Sequence, residues 1–232
     1  MKQILSGKTL SEETVAYAQS LDLDVQCIDF IETISLAPEL STLTQNSFDS
    51  IAFTSSNAVN FFVMNPYCKE LLKTKSIFSI SGKTANSLMK LGVKLALTAS
   101  NASTLADKIV KTNFKSVLHP CGNLKLDSLA IKLKEAHIKY NPLLVYETVL
   151  NKNIKLNKVY DAIMFYSPSG VESFFSANEW ITTTIACCIG ETTAEAFQKK
   201  QQGATVITPG LPTPESMLKA IDNYFQKHTT TA

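Results

Sequence analysis

A chain of 232 residues with 45% hydrophobic and 18% charged residues has material for one large or two small globular domains, and its formal net charge of +2 leaves no broad footprint for nucleic acid or an anionic membrane. No apolar run approaches the roughly 20 residues a bilayer requires. Met1 to Gly7 passes straight into a strand-like segment without a secretory core or cleavage site, so a cytoplasmic location is expected.

In chain order, Ser11 before Glu12-Glu13 marks a helix start, with acid in the first turn. Ile28 to Leu36 is a long extended stretch with few turn residues. Ile51-Ala52-Phe53 and Ile77 to Ile80 predict strands, and Ala85, Leu88 and Leu91 carry helical spacing. Val117-Leu118 predicts another strand; Leu126, Leu129 and Leu133 predict another helix. Leu143 to Val145 is strand-like and opens a second extended stretch, Leu143 to Leu150. Ala162 to Phe165, Ile185 to Ile189 and Thr205-Val206-Ile207 predict further strands. Thr213-Pro214-Glu215 places a capping hydroxyl, proline and acid at a final helix start. Such alternation implies an α/β protein with parallel sheets covered by helices on both faces. The five cysteines lack paired CxxC spacing and read as reduced thiols; Cys187-Cys188, inside an apolar run, reads as core.

The chain repeats itself. Phe48-Asp49-Ser50-Ile51-Ala52-Phe53-Thr54-Ser55-Ser56-Asn57-Ala58-Val59 runs parallel to Tyr160-Asp161-Ala162-Ile163-Met164-Phe165-Tyr166-Ser167-Pro168-Ser169-Gly170-Val171. Ile80-Ser81-Gly82-Lys83-Thr84-Ala85 likewise parallels Ile189-Gly190-Glu191-Thr192-Thr193-Ala194. Two matched segments in the same order suggest two related lobes. The two extended stretches fall where neither repeat reaches, and read as crossings between lobes.

Ligands of open α/β sheets bind beyond the carboxyl ends of the strands. Those ends carry hydroxyls and glycines here: Thr54-Ser55-Ser56, Ser79 to Gly82, Pro120 to Asn123, Tyr166 to Gly170 and Gly190 to Thr193. Each leads into a helix N-terminus, whose free N–H groups favour anions. Any one hydroxyl reads as a helix cap; the set reads as a polyanion site in a cleft between the lobes. No GxGxxG, GxxxxGK[ST] or GxSxG motif occurs, and His119, His137 and His228 lack metal-ligand spacing and read as surface or packing residues. Tyr146, in Val145-Tyr146-Glu147-Thr148, is a phenol that could donate a proton only when well positioned.

Six segments in register resemble the uroporphyrinogen-III synthase (HemD) family: Phe53 to Val59, Ser81 to Ala85, Pro120 to Leu124, Val145 to Thr148, Phe165 to Val171 and Ile189 to Ala194. The resemblance implies two flavodoxin-like lobes joined by a two-stranded linker, the first made of residues 1–35 and 150–232 and the second of 36–149. It implies closure of hydroxymethylbilane, supplied by porphobilinogen deaminase, to uroporphyrinogen III in haem biosynthesis. Water is lost and ring D inverts through a spiro intermediate. It implies a monomer with no metal or organic cofactor, no nucleic-acid partner and no membrane association, acting on a substrate with eight carboxylates. Tyr146 matches the family tyrosine that assists departure of the hydroxyl. Thr54, Ser55, Ser81, Gly82, Thr84, Gly122, Ser167, Ser169, Gly170, Gly190, Thr192 and Thr193 match positions expected to bind substrate. Lys125 stands where an arginine is frequent, His137 where a glycine commonly ends a helix, and Thr184 where some members have lysine.

The alternative is a non-catalytic two-lobed module that binds a polycarboxylate. A phosphorylated regulatory domain is a poor reading, because Asp49 and Asp161 lie at strand starts rather than strand ends.

Overall fold

The computed structural model describes residues 1–37 and 47–229; residues 38–46, inside the second expected lobe, and 230–232 lie outside the described residues. Met1–Glu32 and Val149–Ala232 form one compact unit, and Thr33–Thr148 another.

The first unit opens with β1 (Lys2–Ser6), α1 (Glu12–Ser20) and β2 (Leu23–Cys27). The Ser11 hydroxyl caps α1 by accepting from the Thr14 N–H at 3.2 Å. After β3 (Ile31–Ser35), the second unit contains β4 (Ser50–Phe53), α2 (Ser56–Val63), α3 (Pro66–Thr74), β5 (Ser76–Ile80) and α4 (Lys83–Lys90). It continues with β6 (Leu95–Ala99), α5 (Ala102–Val110), β7 (Ser116–Gly122), α6 (Ser128–Glu135) and β8 (Lys139–Leu150). The first unit is completed by β9 (Ala162–Phe165), α7 (Pro168–Phe175), β10 (Ile185–Cys188), α8 (Glu191–Lys200), β11 (Val206–Ile207) and α9 (Pro214–Thr229).

The first sheet runs β11-β10-β9-β1-β2, all parallel. Numbered along the chain within the unit, this is the flavodoxin-like order 2-1-3-4-5. The second sheet runs β3-β8-β7-β4-β5-β6. Its parallel strands β4 to β8 occupy the places of β9, β10, β11, β1 and β2, so their chain order reads 3-2-1-4-5. The arrangement is the same, but the chain enters it at a different strand. The two extended stretches pair along β3 and β8. Leu36 N–H donates to Val145 O and Asn151 N–H donates to Phe30 O, both at 3.0 Å, an antiparallel register. β8 begins earlier than Leu143 because Lys139 to Tyr146 pair with β7.

Alternation along the central strands builds a core on each face. Ile51 and Phe53 pack with residues of α2, α3 and α4, whereas Ala52 packs with Leu105 and Ile109 of α5 and Leu129 and Leu133 of α6. In the first unit, Phe165 and Cys188 pack against α7 and α8, while Met164 and Cys187 pack against α1 and α9. Each fully buried Leu or Phe stabilises its unit by about 1.5–3 kcal/mol. The expected helical triads are trimmed. Leu91 is the C-cap of α4, and Leu126 precedes α6 with 74% of its surface exposed.

The repeat is structural. Phe53 meets Phe62 edge-to-face at 5.4 Å, and Phe165 meets Phe174 the same way at 5.5 Å. Asp49 accepts from the backbone N–H groups of Lys115 and Ser116 at 2.8 and 3.1 Å, and Asp161 from that of Gln3 at 2.7 Å. Each aspartate therefore ties the start of its central strand to the strand beside it. His137 adopts φ 55° just after α6, the left-handed conformation that lets a helix end.

Candidate functional site

The strand ends of the second unit surround a cavity of about 310 Å³. The segment after β4 contributes Thr54 and Ser55, β5 contributes Ile80, and the segment after β6 contributes Ser100 and Asn101. Cys121, Gly122 and Lys125 come from the end of β7 and its loop, and Tyr146 from β8. The wall is thus a tyrosine, several hydroxyls and one cation on an apolar base.

Tyr146 is seated from two directions. Its ring stacks on Phe61 with centroids 5.5 Å apart and 21° between planes. A Cβ placed on Gly122 would stand 2.5 Å from the ring, so glycine is required there by close approach. The phenol oxygen lies 3.3 Å from Ser55 Oγ, at the edge of hydrogen-bond range. Ser55 is also the N-cap of α2, accepting from the Asn57 N–H at 3.2 Å.

Behind Thr54 lies His119, on β7 and 1% exposed. Its Nε2 is 2.9 Å from Thr54 Oγ1 and its Nδ1 is 2.7 Å from the Tyr140 hydroxyl. Burial, with the Lys125 charge adding to it, pushes the His119 pKa down to about 4. Burial likewise raises the Cys121 thiol to about 11, which leaves it protonated and unreactive near neutral pH. Lys125, 26% exposed, has Asp127 3.6 Å away as its ion-pair partner.

The remaining expected residues fall in three groups. Ser81 and Gly82 are exposed beyond Ile80 and do not line the cavity. Gly82 has φ +79°, and α4 starts on it without a side-chain cap, as α8 starts on Gly190. Thr84 and Thr193, in the first turns of those helices, are each 4% exposed and turn into their units, whereas Thr192 is exposed. In the first unit, Ser167 caps α7 by accepting from the Gly170 N–H at 3.1 Å, and its hydroxyl is 2.9 Å from that of Ser169. Gly170 is buried near Phe30. Thr184 is buried and donates to the Tyr160 carbonyl at 2.8 Å, a structural role in that unit.

The repeat breaks at the site itself. The counterpart of Phe61 is Ser173, whose hydroxyl donates to the Asn151 carbonyl at 2.9 Å, so the aromatic seat belongs to the second unit. Sequence reasoning missed Ser100, Asn101 and the partners of His119. The signal for His119 was a polar ring inside the buried strand Ser116 to Gly122, where it must find hydrogen-bond partners. No group of three or more His, Cys, Asp or Glu residues suited to a metal ion occurs among the described residues, and no helix among them is long and apolar enough to cross a membrane.

Residues 12–219 match the model of the family described as uroporphyrinogen-III synthase HemD. Among solved structures, the chain is similar to the uroporphyrinogen-III synthetase of Helicobacter pylori, with 23% identity, a TM-score of 0.70, and coverage of 94% of this chain and 97% of that one. It is also similar to a mutant uroporphyrinogen III synthase of the extremely thermophilic bacterium Thermus thermophilus, with 16% identity, a TM-score of 0.71, and coverage of 98% and 100%. At these identities the structural likeness establishes the fold, and the family match carries the rest.

Proposed function

The chain belongs to the uroporphyrinogen-III synthase HemD family, and from that premise we infer that it closes hydroxymethylbilane to uroporphyrinogen III, losing water and inverting ring D. The observation that carries the reading is the family match over residues 12–219. Membership sets aside the non-catalytic binding module. The reaction makes no net use of an oxidant or reductant: a hydroxyl and a ring-D proton leave as water, and inversion of ring D breaks one carbon–carbon bond to that ring while two others form.

Hydroxide is a poor leaving group and water a good one, so a proton donor beside the departing hydroxyl lowers the barrier. Tyr146 is assigned that role. Its phenol lines the cavity, and Phe61 and Gly122 hold its ring in one place. A positioned acid contributes about 10²- to 10⁴-fold; holding the reacting carbons together supplies the larger share. Thr54, Ser55 and Lys125 are proposed to receive substrate carboxylates, and the Ser167–Ser169–Gly170 turn and the uncapped starts of α4 and α8 to receive others. The protein is proposed to act as a cytoplasmic monomer that takes its unstable substrate from porphobilinogen deaminase.

Feeding the protein hydroxymethylbilane made in situ by that deaminase, and separating the isomers, tests the reading. The type III isomer is expected. The type I isomer alone, which forms spontaneously, rejects it.

A further inference from the structure

His119, Tyr140 and Thr54 form a hydrogen-bonded chain from the interior to the cavity wall. Both nitrogens of the buried imidazole are committed, Nδ1 to the Tyr140 hydroxyl at 2.7 Å and Nε2 to Thr54 Oγ1 at 2.9 Å. Thr54 is the member that lines the cavity. With its pKa held at about 4, the ring is neutral at physiological pH, so one nitrogen donates and the other accepts.

Two polarities satisfy such a chain, and the chemistry of its ends selects one. A phenol is the stronger acid and the better donor; an aliphatic hydroxyl is the better acceptor. Tyr140 therefore donates to Nδ1, and Nε2–H donates to Thr54 Oγ1. Thr54 does not spend its own proton inward, and its O–H is left for the cavity.

The first unit offers a built-in contrast. The register of β4 with β7 and of β9 with β1 makes Ser6 the counterpart of His119 and Tyr166 the counterpart of Thr54. That pair is also hydrogen-bonded, at 3.0 Å, with the large side chain on the loop and the small one on the strand. The Ser6 hydroxyl donates to the Lys8 carbonyl at 2.6 Å and so presents lone pairs to the Tyr166 phenol. The second unit reverses the sizes, which puts a small hydroxyl at the cavity and the polarising ring behind it.

We propose that His119, held by Tyr140, is a positioning residue that fixes Thr54 as a hydrogen-bond donor to a carboxylate of the bound substrate. This rests on the reading of the cavity as a substrate site of the synthase.

The test is a double-mutant cycle read in KM and kcat for type III product. Thr54→Val is expected to raise KM on the order of tenfold with kcat little changed, as for loss of a hydrogen bond to a charged group. Tyr140→Phe, which keeps the imidazole, is expected to raise KM several-fold. In the Thr54→Val background, Tyr140→Phe should raise it no further, a coupling that a merely structural role would not produce. His119→Phe should behave as Tyr140→Phe does if it folds. The proposal is overturned if Tyr140→Phe raises KM equally in both backgrounds, or if it lowers Tm without touching KM. Failure of the underlying reading looks different: the wild-type chain yields only the type I isomer, and the proposal falls with it.

Discussion

Gly122 and Tyr146 lie so close that a methyl group on the first would stand 2.5 Å from the ring of the second. The ring is also stacked on Phe61, so it cannot yield without losing that contact. Gly122→Ala should therefore displace the phenol. Turnover is expected to fall about 10²-fold, as for a misplacement of roughly 1 Å, with a stability cost of about 1–3 kcal/mol for overpacking. Measuring kcat and Tm on the same preparation checks this. Wild-type turnover in a folded Gly122→Ala protein would show that the tyrosine has no fixed position to defend.

His119 makes the pH dependence of stability one-sided. Burial first, and Lys125 second, hold its pKa at about 4, below the ordinary 6.5. The folded-state value is depressed, so between pH 6.5 and 4 the unfolded chain binds a proton that the folded chain refuses. Stability from this group is intact above pH 6.5 and is lost as pH falls toward 4, by on the order of 3 kcal/mol in full. Urea midpoints at pH 7.5 and 4.5 should differ more for the wild type than for His119→Phe. Equal slopes for the two proteins would mean that another group sets the acid limit.

Asp49 and Asp161 do one job in two places. Hydrogen bonds from the Lys115 backbone, then from Ser116, hold the Asp49 carboxyl below its ordinary pKa, with Lys75 adding to them; burial works against this. Its contribution is therefore present above the ordinary carboxylate range and lost on acidification. Asp49→Ala is expected to cost about 0.5–1.5 kcal/mol by removing the acceptor of the N–H groups at the β7 start, and Asp161→Ala a similar amount at β1. Hydrogen exchange resolved by segment should show loosening of β7 in the first variant and of β1 in the second. Uniform loosening in both would deny them a local role.

The strands that stood out most plainly in sequence are those where burial is total. β4, β7, β9 and β10 are buried along their whole length, and their apolar runs stand out. β2 and β6 did not stand out. Burial along Leu23–Cys27 and Leu95–Ala99 only alternates: Asp24 and Gln26 interrupt the first, and the second mixes small Ala96 and polar Thr98 among its leucines. The repeat was legible because Asp49 and Asp161, and Phe62 and Phe174, perform the same task in each unit. Tyr146 could be singled out, but its seat could not. Phe61 and Gly122 reach it from other elements, and only folding brings those positions together. The same is true of Thr54, His119 and Tyr140, which three different strands or strand ends supply.

Tyr146 is proposed to assist loss of the hydroxyl as hydroxymethylbilane closes to the type III ring. Among the described residues its hydroxyl has one weak hydrogen-bond contact, to Ser55, which remains the cap of α2 without it. The most direct measurement is the initial rate of type III formation by the wild type and by Tyr146→Phe, beside a protein-free control that gives type I. The wild type should yield type III in excess, and Tyr146→Phe should form it about 10²- to 10⁴-fold more slowly at an unchanged Tm. Equal type III rates for the two proteins would remove Tyr146 from the chemistry; type I alone from the wild type would show that the chain does not catalyse the closure.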